Sequence, residues 1–281
     1  MPGSAIGSIT ERFRTSFEGN PVIAFETTIV HLPETTSTND EARRMAEAGA
    51  AEGTVIRADH QTSGRGRYGR EWFASPGQNV LLSIILRPEL PADRLGLVTL
   101  AGAVAVANTI QDLTGLHASI KWPNDVLVHD RKVSGMLLES TQYAGEGAAQ
   151  GFVIVGIGVN VNQQDFPPDL AARSTSLMLE IGRRVSCDEF VNGLMTHFAR
   201  HYLSVYEDDG SMLRAAFVKR MTGLGEPITL YIHGGRPPVV GRMAGLSSDG
   251  GLELELNDGR RHTFHAGEVT SDAGQNTGRT S

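Results

Sequence analysis

The sequence predicts a mixed α/β domain over residues 22–222 followed by a small antiparallel β-barrel over residues 223–271. Three observations carry this expectation. A chain of 281 residues is long enough for one large domain and a small appendage. Up to residue 222, apolar runs of strand length alternate with longer stretches that are apolar at helical spacing. Beyond Gly223 the pattern becomes short alternating strands, PITLYI, PVVGRMAGL, GLELELN and RRHTFHAGEV. These are separated by Gly234-Gly235, Ser248-Asp249-Gly250-Gly251 and Asn257-Asp258-Gly259, the punctuation of tight antiparallel turns.

In chain order, residues 1–21 are small and polar and are expected to be loosely ordered. Several N-cap candidates in Thr35-Thr36-Ser37-Thr38-Asn39-Asp40 start a helix over 38–48. Strands follow at 54–58 and 79–86; the second (VLLSIIL) is almost wholly apolar and so is buried on both faces. A long helix spans 93–113 after Pro91, too short and too interrupted to cross a bilayer. Short strands at 120–122 and 126–129 lead through an Asp130-Arg131 turn into 132–139, and 152–161 is another apolar strand. Phe190, Leu194, Phe198, Tyr202 and Val205 give a helix over 188–206 its core stripe. The polar end, 272–281, is expected to be disordered.

Composition excludes some function classes. With 40% hydrophobic and 20% charged residues, an ordinary globular protein with a real core is expected. A net charge of -7 argues against a protein that coats nucleic acid. No signal peptide is visible, and the single cysteine, Cys187, fits a reducing cytoplasm; its place at a helix start makes it structural.

Chemistry concentrates in a few segments. In residues 61–72, QTSGRGRYGREW, glycines alternate with arginines. Glycines let backbone N–H groups line a concave anion site, and arginines add planar, always-charged donors for phosphate or carboxylate. No Gly-Lys-Ser/Thr follows, so this is not a Walker loop. In Lys121-Trp122-Pro123-Asn124-Asp125, proline turns a short strand, Lys121 brings charge, and Asn124 and Asp125 bring oxygens suited to magnesium or a ribose. On spacing alone, that Asn-Asp pair is more often a plain turn, and Lys132 more often a solvated strand end. Gly156 and Gly158 would let a flat ligand lie on their strand, with Asn160 offering amide hydrogen bonds to a purine edge.

Taken together, STN, GRGRYGR before EW, KWPND, RKVSG and GIGVNVN occur in an order and spacing that resembles the catalytic domain of biotin protein ligases. The resemblance covers about residues 35–180, and the barrel is similar to that family's SH3-like C-terminal domain. It implies an α+β fold of the biotin/lipoate ligase type. It also implies a biotin–[acetyl-CoA-carboxylase] ligase activity: ATP converts biotin to biotinyl-5′-AMP, and the biotinyl group passes to a lysine of a biotin carboxyl carrier domain. Magnesium would accompany ATP.

By the same resemblance, Ser37, Thr38, Asn39 and Gln61 line the biotin pocket, and Gly64 and Arg65 contact biotin and its activated carboxyl. Arg67 and Arg70 belong to a loop closing over the adenylate, and Trp72 packs on that loop. Lys132 holds the biotin carboxylate and α-phosphate, and Lys121 adds charge at the phosphates. Asn124 and Asp125 lie near ATP and magnesium, with Asp125 as the metal ligand. Gly135, Leu137, Gly156 and Gly158 are pocket walls, and Asn160 meets adenine. Homodimerisation is common in the family, but no residue pattern here marks it.

The chain departs from the family pattern in places. Tyr68 stands where some members have a second arginine, Leu81 where some have an aromatic, and Ser176-Leu177 near a tryptophan of others. Gly267-Glu268 is followed by Val269-Thr270-Ser271 rather than by the arginine through which the barrel would touch ATP.

Competing readings differ in what they require. A ligase that also represses genes would need a helix-turn-helix ahead of Ser37, where no pair of helical patterns is seen, so DNA binding is not expected. A lipoate or octanoate ligase or transferase of the same fold would not need the Gly-Arg loop. A non-catalytic biotin- or nucleotide-binding module would not need Arg65, Arg67, Lys121 and Lys132 together.

Overall fold

The structure, a computed structural model, describes residues 10–15, 25–141 and 151–271. The larger domain contributes the strands β1 (Thr10–Thr15), β2 (Phe25–Thr35), β3 (Thr54–Gln61), β4 (Val80–Leu86), β5 (Ser119–Lys121), β6 (Asp125–Val128), β7 (Arg131–Ser140) and β8 (Val153–Val159). They form one sheet in the order β1-β2-β3-β4-β8-β7-β6-β5, parallel only between β2 and β3. The one parallel step arises because α1 (Thr38–Glu47) carries the chain from β2 across to β3, whereas the other neighbours pair antiparallel.

Burial on both sheet faces explains the unbroken VLLSIIL of β4. Leu82, Ile84 and Leu86 face the main core, and Ile85 faces a smaller one. In that smaller core, the small residues Ala42 and Ala46 let α1 approach Ile56, Ile85 and Ile154 closely. On the opposite face, α2 (Gly96–Thr114) packs against α5 (Cys187–Glu207) and α6 (Ser211–Val218). Although α2 is long and apolar enough to cross a membrane, most of it is buried inside the protein. Short helices α3 (Pro168–Ala171) and α4 (Leu177–Ile181) lie between β8 and α5.

The C-terminal unit has β9 (Pro227–Tyr231), β10 (Val239–Leu246), β11 (Leu252–Glu255), β12 (Arg261–Phe264) and β13 (Glu268–Ser271). Their order is β12-β11-β10-β9-β13, antiparallel throughout. Ile228, Leu230, Met243, Leu252 and Leu254 join the main core, so the unit is seated on the larger domain. The Trp122 indole N–H donates to the Gly250 carbonyl at 3.2 Å across that junction.

Some expectations change in detail. Thr10–Thr15 lies within the stretch expected to be loose, yet pairs with β2 as a strand; residues 1–9 and 16–24 and the tail 272–281 lie outside the described residues. The long helix starts at Gly96, because Ala92–Arg94 is a separate 3-10 turn. The β6–β7 turn is His129-Asp130, both at positive φ, rather than Asp130-Arg131. Cys187 opens α5 half-buried behind the N-cap Ser186, and burial pushes its thiol pKa up, in keeping with a structural residue.

Candidate active site

The floor of the site is a patch of sheet without side chains. In the β7–β8 register Gly135 pairs with Gly158 and Leu137 with Gly156. A Cβ on Gly158 would lie 2.5 Å from the Trp72 indole, and one on Gly135 would lie 3.2 Å from it. These glycines are therefore required by close approach rather than by turn geometry. Trp72 lies over them as a roof, with its Nε1 buried and without a hydrogen-bond partner among the described residues.

Around this floor is a cleft of about 530 Å³. Its lining includes Ser37, Thr38, Asn39, Gln61, Arg65, Arg67, Arg70, Trp72, Lys121, Asn124, Asp125, Lys132, Gly135, Leu137, Gly156, Gly158 and Asn160. Of the expected site residues, Gly64 alone is missing from the wall. It sits behind Trp72, where a Cβ would meet the Trp72 carbonyl at 2.7 Å, and its own carbonyl accepts the Trp72 N–H at 2.9 Å. This close approach requires a glycine for the loop to fold.

At one end the start of α1 builds a buried polar network. The Gln61 Oε1 accepts from the Thr38 backbone N–H at 2.7 Å and hydroxyl at 3.0 Å. The Ser83 hydroxyl reaches Thr38 Oγ1 at 2.8 Å and Asn39 Oδ1 at 2.6 Å. Asn39 in turn donates to Glu139 at 3.0 Å. Fixed polar groups of this kind are suited to a small polar ring.

At the other end the cations gather. The Lys132 ammonium pairs with Asp125 at 2.7 Å and lies 5.5 Å from the Trp72 ring centroid. Arg67 donates to Asn124 Oδ1 at 2.7 Å. Arg65 stands back toward the α1 end, where it forms a two-pronged pair with Asp40 at 2.6 and 2.7 Å and reaches Glu139 at 3.4 Å. Its hydrogen bond to Asp40 pushes its pKa further up. Lys121 lines the same wall. Such a cluster in a chain of net charge -7 marks an anion site.

Sequence reasoning predicted the barrel but did not place it at the site. Gly267, Glu268, Val269 and Thr270 line the cleft despite the missing arginine. Arg70 pairs with Glu268 at 2.6 Å, Arg67 reaches the Gly267 carbonyl at 3.4 Å, and Tyr68 stacks on His233 with ring centroids 3.3 Å apart. Burial opposes the Glu268 charge, but Arg70 outweighs it and lowers the carboxyl pKa. The Gly-Arg loop is thus closed against the barrel. Asp40, Ser83 and Glu139, which hold Arg65 and Asn39, and Arg173, which lines the cleft, were also missed; none has a local pattern that distinguishes it from an ordinary surface or strand residue.

A model of the biotin/lipoate A/B protein ligase family matches residues 32–160, and one of the biotin protein ligase C-terminal domain matches residues 223–270. The chain is 34% identical to a biotin–[acetyl-CoA-carboxylase] ligase of Paracoccus denitrificans, over 82% of this chain and 95% of that protein. It is also 34% identical to a bifunctional ligase/repressor of Bacillus subtilis, over 82% of this chain and 70% of the relative. Among solved structures it resembles the Aquifex aeolicus biotin protein ligase in complex with biotin and ATP, with a TM-score of 0.74, 29% identity, and 86% and 97% of the two chains covered. Fold and site define an acyl-activating ligase, and the chain belongs to the biotin protein ligase family.

Proposed function

We propose that this chain activates biotin with ATP and transfers it to a lysine of the biotin carboxyl carrier domain of acetyl-CoA carboxylase or a related carboxylase. The observation that carries this reading is the convergence of Arg65, Arg67, Lys121 and Lys132 on one cleft whose floor is the bare Gly135–Gly158 pair.

In the first step a biotin carboxylate oxygen attacks the α-phosphorus, the bond to the β-phosphate oxygen breaks, and pyrophosphate leaves. Two anions must meet, so the protein's contribution is charge neutralisation and alignment. Lys132 would exchange Asp125 for the carboxylate and α-phosphate; Lys121 would face the leaving phosphates. Ser37, Thr38, Asn39 and Gln61 would hold the ureido end, Gly156 and Leu137 the ring system. Arg65 would turn from Asp40 toward the activated carboxyl, and Arg67 and Arg70 would retain the adenylate. Asn160, whose Oδ1 is buried and unpaired among the described residues, would meet adenine. In the second step the acceptor amine attacks the acyl carbon, AMP leaves, and the amine proton goes to solvent. Until then Trp72 and the closed loop keep water from the mixed anhydride.

Magnesium fits as a companion of ATP. No cluster of three or more metal-binding His, Cys, Asp or Glu side chains is found among the described residues. The Asn124 oxygen is taken by Arg67 and Asp125 by Lys132. Magnesium commonly needs only one or two carboxylates beside phosphate oxygens, and Asp125, once released by Lys132, would supply one. It would shield the phosphate charge. A single half-buried thiol and a need for ATP fit a reducing, ATP-rich cytoplasm.

The test is biotin-dependent exchange of labelled pyrophosphate into ATP. Exchange with biotin and not with lipoate is expected. Folded protein without exchange would point to a binding module instead.

A further inference from the structure

Glu180 takes no part in the chemistry above, yet its side chain is only 5% exposed and it gathers donors from separate parts of the chain. The Arg131 guanidinium lies at 2.6 Å, the His129 ring at 2.6 Å, and the Thr175 hydroxyl donates to the same carboxylate. Burial works against its charge, but Thr175, His129 and Arg131 together bring its pKa below the usual range. The carboxylate thus fastens α4 to the β6–β7 turn.

Between these fastenings runs the segment 173–175. It is stitched to Lys132 on both sides: the Lys132 N–H donates to the Arg173 carbonyl at 2.8 Å, and the Thr175 N–H donates to the Lys132 carbonyl at 2.9 Å. The Thr175 carbonyl also accepts from Asn160 Nδ2 at 3.1 Å. That bond decides which way the Asn160 amide points. Turned over, its oxygen would face the Thr175 carbonyl, acceptor against acceptor. With the nitrogen committed, the oxygen is left buried and unpaired in a side chain that lines the cleft. A buried acceptor without a partner calls for a donor from the ligand. Adenine presents its donor as an amine at C6, whereas a 6-oxopurine presents an acceptor at C6 and moves the donor to N1.

We propose that Glu180 is a positioning residue for nucleotide selection: by pinning Thr175 it fixes the Asn160 amide with its oxygen toward the base, selecting a 6-aminopurine triphosphate over a 6-oxopurine one. This rests on the reading that Asn160 meets the base.

The experiment compares ATP with ITP in biotin-dependent pyrophosphate exchange, for the wild type, Glu180→Gln and Thr175→Val. The kcat/KM ratio of two nucleotides on one preparation cancels the folded fraction, so a purely structural role leaves it unmoved. Wild type should prefer ATP by about tenfold or more, the scale of one mispaired buried acceptor. Both variants should lower that preference by about three- to tenfold. A ratio unchanged in both, with the two nucleotides losing activity in proportion, overturns the proposal. Arg131→Met, at a half-exposed position, serves if either variant does not fold. Wild type without exchange on any nucleotide would defeat the ligase reading instead, and calorimetric binding of ATP and ITP would still measure the ratio.

Discussion

Replacing Gly158 by alanine tests the geometry of the roof. The added methyl would sit 2.5, 2.7 and 2.8 Å from indole atoms of Trp72, against a comfortable separation of about 3.5–4.0 Å. The indole must therefore retreat by about 1 Å. Gly158 does not have a positive φ, so β8 itself accepts a side chain, and the strain falls on the loop. Overpacking of this kind costs about 1–3 kcal/mol. Charged against closure over the ligand, that is a loss of about 5- to 150-fold in affinity for biotin with ATP. The thermal midpoint should move less, because the loop that carries Trp72 is largely exposed and can yield in the free protein. Calorimetric titration together with a melting curve reads both quantities. Gly156→Ala is the contrast: its methyl would collide with the Asn39 amide inside the buried Ser83–Asn39–Glu139 network. It should cost about 1–3 kcal/mol of folding stability. If Gly158→Ala binds biotin and ATP within twofold of the wild type, Trp72 does not roof the bound ligand and the reasoning fails.

Three further outcomes are expected. Lys132→Ala should reduce pyrophosphate exchange by about a thousandfold or more while the melting curve changes little, since its Asp125 partner is part-exposed; near-normal turnover would remove it from the chemistry. Arg67→Gly loses the bond to Asn124 and the reach to the Gly267 carbonyl, and should release biotinyl-AMP that labels lysines of bystander proteins; unchanged acceptor selectivity would count against a retaining role. Asp249 is held down to a pKa of about 2: burial alone would raise it, but the Ser247 hydroxyl, the His265 ring and the Gly251 amide outweigh that effect. A depressed carboxyl stabilises the fold above its unfolded value and loses that contribution as pH falls from about 4 to 2. Urea melts of Asp249→Asn should accordingly show a shallower loss of stability over that window than the wild type.

Much of the site was legible in the chain because its chemistry is local. The Gly-Arg loop, KWPND and the glycines of β8 each combine a backbone requirement with a charge or a bare surface inside a few residues. What the loop rests on was not legible. Glu268 and His233 lie far along the chain from Arg70 and Tyr68, and nothing in their own neighbourhoods marks them as partners. The packing of Gly64 on the Trp72 backbone was not legible for a related reason: a glycine needed for folding and one needed beside a ligand look alike until the neighbour of the missing Cβ is seen.

The sequence by itself determined most of the strands and the long helices between residues 38 and 207, the change to an antiparallel unit after Gly223, and the residue types brought to the cleft; β2, α3, α4 and α6 were not read from it. Periodicity and turn chemistry act over a few residues, so they can be read there. Only the tertiary structure decided that the barrel closes one side of the site, that β1 joins the sheet edge, and that Glu180 bonds Thr175 in the segment that also bonds Lys132 and Asn160. Those are contacts between segments distant in sequence, set by packing and pairing that local preference does not encode.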